Sequence, residues 1–304
     1  MTSIDNRPYK GGSLRGAQPA RSGLATPSGP ALALPQGACD AHVHVFGPTS
    51  RFPFAPERRF TPSEAPKEEL FALHARMGIE RCVVVQSGAH GYDNSVTEDA
   101  IAAKQGAYVG IALVRLDIPD AELRRLDRAG FRGARFHFIG HLARAGSIED
   151  VVAFGKRLTD LGWHLQIHFD SARVHEIAPA LRRSPVPVVL DHMGRVDASR
   201  GIDQPDFRAL RELARDTRFW VKLSGAERVS RQGTPYPDAV PFARALLEDA
   251  GDRVLWGTDW PHPNLDHIPD DGVLVDLIAK IAPNQAQQQA LLVDNPLRLY
   301  RFAR

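Results

Sequence analysis

From Cys39 onward, short runs rich in β-branched and aromatic residues alternate with longer stretches whose apolar positions recur at helical spacing. The runs are CDAHVHVF (39–46), RCVVVQSG (81–88), AYVGIALV (107–114), GARFHFI (133–139), WHLQIHF (163–169), VPVVLDH (186–192), FWVKLSG (219–225) and VLWGTDW (254–260). Between them lie helical patterns such as KEELFALHARMG, DAELRRLDRAG, IEDVVAFGKRLTDLG, PDFRALRELARD and DAVPFARALLEDAG. Several of these end in Gly, which suits a left-handed cap, or begin at Asp, Pro or Ser, which suits an N-terminus. Strands that are apolar on both faces and alternate with helices imply a parallel sheet covered by helices. Eight such units in 304 residues predict an α/β protein, a closed (β/α)8 TIM barrel. No G-x-G-x-x-G follows the first run, so a dinucleotide-binding fold loses its usual support.

Residues 1–36 show neither period and are rich in Gly, Pro, Ser, Ala and Arg. They are expected to form a flexible or draped N-terminal extension, with the barrel spanning residues 37–304. A net charge of +2 supplies no global field for nucleic acid or an anionic membrane, so any anion must be bound locally. No apolar run has the length of a membrane span, and the N-terminus lacks the apolar core of a signal peptide. Cys39 and Cys82 have no metal-site spacing and suit two buried thiols in a reducing compartment, which points to the cytoplasm. The oligomeric state is not legible.

In a parallel barrel, chemistry gathers at the C-terminal strand ends. Alternation puts Asp40, His42 and His44 on one face of the first strand and Ala41, Val43 and Val45 on the other. It likewise pairs Arg135 with His137, Gln166 with His168, and Lys222 with Ser224. Ser87, His192 and Asp259 stand at the ends of the second, sixth and eighth strands. Taken singly, each has a plainer role, as a hydrogen-bonded core histidine or a helix-capping aspartate. Their coincidence at so many strand ends predicts a polar centre at the barrel mouth. His90, His141, His262 and His267 fall in loops, while His74, His164 and His175 are expected on the surface.

The ordered set CDAHVHVFGP, FRGARFHF, LDHMGR, ERVS, RVLWGTDWPHPN, PDDGVLVD and LLVDNPLRLY resembles the amidohydrolase superfamily. More narrowly, it is similar to the 2-pyrone-4,6-dicarboxylate hydrolase group of lactone-opening enzymes, from about Cys39 to Tyr300. The resemblance implies a hydrolase that opens a small anionic lactone, with Asp259 as the base that activates water and His42, His44 and His192 around the scissile carbonyl. It implies that Ser87, Arg135, Arg195 and Arg228 hold the substrate's carboxylates and ring, a task suited to guanidinium forks. The chain departs from the group's pattern at Phe60 and His168, which replace tyrosines, and at His141, which replaces an arginine. His141 and His168 thereby join the substrate-binding candidates. A related lactone with a single carboxylate or a sulfonate then fits as well as the dicarboxylate.

His42, His44, His168 and Asp259 would serve as the ligand set of one divalent ion such as Zn²⁺. The resemblance favours chemistry with no required cofactor, and Arg135, standing where binuclear relatives carry a bridging lysine, repels a dication. A zinc-dependent decarboxylase or amidohydrolase, a sugar-lactone isomerase, and a non-catalytic barrel serving binding or assembly are the alternatives.

Overall fold

The computed structural model describes residues 23–140, 142 and 145–302. Eight parallel strands follow one another around a single sheet: β1 (Cys39–Val43), β2 (Arg81–Val85), β3 (Tyr108–Leu113), β4 (Phe131–Phe138), β5 (His164–Phe169), β6 (Val188–Leu190), β7 (Phe219–Lys222) and β8 (Val254–Leu255). Helices alternate with them: α1 (Lys67–Met77), α2 (Ser95–Ala102), α3 (Asp120–Arg128), α4 (Ile148–Phe154), α5 (Val174–Leu181), α6 (Pro205–Arg215), α7 (Ala226–Val229), α8 (Val240–Ala250) and α9 (Asp271–Ile281). This is the expected (β/α)8 barrel. The ring closes between its last and first segments through backbone bonds from Ala41 N to Trp256 O (2.8 Å), Asp259 N to His42 O (2.8 Å) and His44 N to Trp260 O (2.7 Å).

Local signals act where the sequence puts them. Gly78 ends α1 at φ 75°, with its N–H donating to His74 O. Ser147 and Asp150 form a reciprocal capping box at the start of α4. Outward strand residues such as Val84, Phe136, Ile167 and Val221 join the core between sheet and helices. Cys39, Ala41, Val83, Ile111, Val189 and Leu255 fill the barrel's interior with Leu299, Tyr300 and Phe302. Both cysteines are buried and free. Among the described residues, no helix is long and apolar enough to cross a membrane.

Three expectations need correction. The β1–β2 register shifts between Asp40 and Val43, and the irregularity changes the parity of β1. Ala41 therefore packs inside the barrel, while Asp40 faces α1, its Oδ2 3.5 Å from His74 Nε2. Asp40 does not share a face with His42. Neither His74 nor His164 is on the surface. His74 Nδ1 lies 2.5 Å from the Tyr108 hydroxyl, and His164 lies edge-on to the Tyr300 ring inside the barrel. A hydrogen-bonding partner or an aromatic neighbour brought by another element allows an imidazole to be buried where chain polarity suggests exposure.

Of the extension, residues 1–22 lie outside the described residues. Ser28 donates from its N–H and Oγ to Asp270 Oδ1, and Leu32 N–H donates to Asp276 Oδ1 at 2.8 Å, so this stretch runs along the start of α9.

Candidate active site

Inward positions of β4 to β7 supply a polar layer beneath the mouth. Asp191, just past β6, is fully buried and accepts from Arg135 Nε (2.9 Å) and Gln166 Nε2 (3.2 Å). Burial alone would raise its pKa, but Arg135, His42 and Lys222 together outweigh this and hold the carboxyl well below the usual range. Lys222 Nζ donates to Gln166 Oε1 at 2.9 Å and lies 3.2 Å from His42 Nδ1. Burial lowers the lysine to about 8 despite Asp191 nearby.

Above this layer, His42 and His44 aim their Nε2 atoms at the same Asp259 oxygen, 3.7 and 3.5 Å from Oδ1. His192 Nε2 lies 3.8 Å from Oδ2, while its Nδ1 meets Ser224 Oγ at 3.0 Å. Oδ2 also accepts from Arg228 Nε at 2.5 Å. Oδ1 and His42 Nε2 are buried without hydrogen-bond partners. Burial would raise the Asp259 pKa, but Arg228 and the imidazoles reverse this and hold it well below the carboxylate range. Burial lowers His192 to about 3, and burial with the Lys222 charge lowers His42, so both rings are neutral at pH 7.

The mouth is a cleft of about 790 Å³, including its open side. His44, Ser87, Arg135, His168, His192, Arg195, Arg228 and Asp259 all line it, with His42 just beneath. His141 lies outside the described residues. Two of the three arginines are already paired: Arg135 with Asp191, and Arg228 with Asp259 and the Pro263 carbonyl. Arg195 has no carboxylate partner among the described residues, and burial with the Arg228 charge lowers it to about 10. His192, Met193, Gly194 and Arg195 are four successive residues at φ 51–62°. Three of them carry side chains disfavoured in the left-handed region, so the surrounding structure must impose this turn. It presents an imidazole and a guanidinium to one cleft.

The donor set also bears on a metal. His44 Nδ1 faces Val85 O at 2.7 Å, which makes Nδ1 the donor there and turns Nε2 toward Asp259 Oδ1. With His42 Nε2, these atoms lie within 4.8 Å of one another and fit a single divalent ion. His168 is not in that group. Its Nδ1 lies 3.4 Å from His137 Nδ1.

Sequence reasoning did not single out Asp191, although its alternation with the inward Val189 places it inside. Nor did it single out Glu227, one residue before Arg228, whose two carboxylate oxygens are buried without hydrogen-bond partners. No local pattern marks that burial.

An eight-stranded barrel whose mouth joins two first-strand histidines to an aspartate beyond the eighth strand has the build of a hydrolase. The chain belongs to the amidohydrolase family, whose model matches residues 39–302. It is 47% identical to 2-pyrone-4,6-dicarboxylate hydrolase of Comamonas testosteroni, over 91% of this chain and 94% of that protein. It is 41% identical to 4-sulfomuconolactone hydrolase of Hydrogenophaga intermedia, over 88% of this chain and 89% of that one. The apo crystal structure of an Agrobacterium tumefaciens protein superposes with a TM-score of 0.79 at 28% identity, covering 90% and 99% of the two chains.

Proposed function

We propose that this chain hydrolyses a small anionic lactone, a 2-pyrone carboxylate or a related muconolactone or sugar-acid lactone, with Asp259 as the general base. The observation carrying this reading is the Asp259 carboxylate itself: one oxygen is pinned by Arg228, and the other is buried, unpartnered and ringed by imidazoles. In this reading Oδ1 accepts from the attacking water.

In the reaction, the water oxygen attacks the ring carbonyl while its proton passes to Asp259 Oδ1. An ammonium at Lys222 has only hydrogens to offer, so His42 Nδ1 accepts from it and His42 Nε2 carries the ring proton. His192, whose Nδ1 can accept from the Ser224 hydroxyl, also presents an Nε2–H. These donors stabilise the developing oxyanion. The ring C–O bond then breaks, and Asp259 returns its proton to the departing oxygen. In a pyrone or muconolactone that oxygen is an enol oxygen, a better leaving group than an alcohol, which lowers the demand for Lewis-acid help. Arg195 is the guanidinium open to a substrate anion, assisted by Ser87, His168 and the unengaged faces of Arg135 and Arg228.

Asp259 is held below its usual basicity by Arg228. A substrate anion that shares this guanidinium weakens its hold and restores the base when the ring is in place. If a divalent ion bound here, His42, His44 and Asp259 would hold it, and it would supply an acidified water and carbonyl polarisation. Our reading requires none, because Lys222, Arg135 and Arg228 already crowd positive charge around that donor set.

The test assays metal-stripped protein on pyrone, muconolactone and sugar lactones, beside Asp259→Asn. Wild type is expected to open at least one ring, and the variant to lose about 10³-fold or more in kcat while still binding it. Wild-type rates in the variant would refute the base assignment. Activity that returns only with added zinc would refute the metal-free reading, and carbon dioxide release or ring isomerisation would refute hydrolysis.

A further inference from the structure

A second hollow of about 560 Å³, including its open side, adjoins the reaction cleft at Arg135, between the loop after β1 and the ends of β3 and β4. Phe60, Gly88, Arg135, His137 and Leu142 line both spaces. Beyond these shared residues, the walls are Leu113, Val114, Phe136, Tyr92 and Ala145. Its charged side chains lie mostly toward the rim. Glu57 and Arg59 are exposed at the rim, and Arg58 is turned to Thr61 Oγ1 and the Ala55 carbonyl. Arg135, the cation between the two spaces, is engaged with Asp191.

An anion pushed against the inner walls of Leu113, Val114 and Phe136 would lose its hydration away from the rim arginines, and among the described residues the one inner arginine already holds Asp191. A hydrocarbon group would gain by leaving water. Resting on the lactone reading above, we propose that this annex is a substrate subsite for an uncharged hydrocarbon substituent. The preferred substrate is therefore a lactone with one anionic group, taken by Arg195, and an alkyl or aryl arm on the side facing Arg135. Specificity then comes from two unlike ends, a guanidinium and an apolar slot.

Three probes test this: 2-pyrone-6-carboxylate with hydrogen, phenyl or carboxylate at ring position 4. The phenyl compound is expected to exceed the hydrogen compound by about tenfold in kcat/KM, mainly through KM. Leu113→Trp fills the annex without touching the reaction cleft, and is expected to erase that gain while leaving the hydrogen compound unchanged. Ala145→Trp, at the partly exposed wall, is the second blocking variant should Leu113→Trp fail to fold. A phenyl compound no better than the hydrogen compound, a preference for the dicarboxylate, or a blocked annex that leaves the phenyl gain intact would overturn the subsite and leave lactone hydrolysis standing. If no lactone of any class is opened, the functional reading fails first and takes the subsite with it.

Discussion

Arg228 Nε and Asp259 Oδ2 stand 2.5 Å apart, while the other oxygen of the same carboxylate has no hydrogen-bond partner. The guanidinium thus fixes the carboxylate's orientation and sets its acidity, and the free oxygen is left for chemistry.

Replacing Arg228 with Met removes the charge that opposes burial at Asp259, so the carboxyl pKa rises. A base must be ionised to act. The acidic limb of the pH profile of kcat/KM is therefore expected to move to higher pH, with a larger loss at pH 6 than at pH 8. Profiles measured on both proteins decide it, and an unmoved limb separates Arg228 from the base.

Acid is expected to weaken the fold before the carboxylates titrate. Burial lowers His192 to about 3, and His42 and His168 are also lowered, against an unfolded value of about 6.5. Between these values the unfolded chain binds more protons, so stability falls as pH drops below about 6.5. His192 alone accounts for on the order of 2 kcal/mol at pH 5. Urea midpoints from pH 7.5 to 5 should decline in wild type and decline less steeply in His192→Asn.

Glu227 behaves in the opposite sense. Burial raises it to about 7, and its oxygens have no hydrogen-bond partners although Arg228 Nε is 3.6 Å away. The unfolded carboxyl ionises near 4.3, so the folded state gives up stability as pH rises from there to about 7. Glu227→Gln removes that loss. Its thermal midpoint relative to wild type is expected to climb between pH 5 and pH 8, by an amount equivalent to on the order of 3 kcal/mol. A difference that is flat with pH would show that Glu227 is ionised in the fold throughout.

The barrel was legible because strand and helix periods are strong, short-range signals repeated eight times over. The inward set on β4 and β5 followed from alternation alone, since neither strand is interrupted where it carries Arg135, His137, Gln166 and His168. β1 defeated the same rule at Asp40, because a register shift is a property of two strands and leaves no mark in one. His192 and Arg195 were located, but the left-handed turn that aims them both was not, as only Gly194 in HMGR suggests it. The pairings of Arg135 and Arg228 were equally hidden. An arginine's partner is chosen by the fold, so residues that looked like open anion clamps are already engaged, and among the described residues Arg195 alone of the three is not paired to a carboxylate.

The seam that closes the ring has a consequence for how this protein fails. Asp259 N–H donates to His42 O, so the residue proposed to activate water and the imidazole beside it are stitched together by the same backbone bonds that join the last stave to the first. A hoop that springs at this joint pulls the two apart while the other staves stay upright. Inactivation by heat or denaturant should then run ahead of the loss of secondary structure.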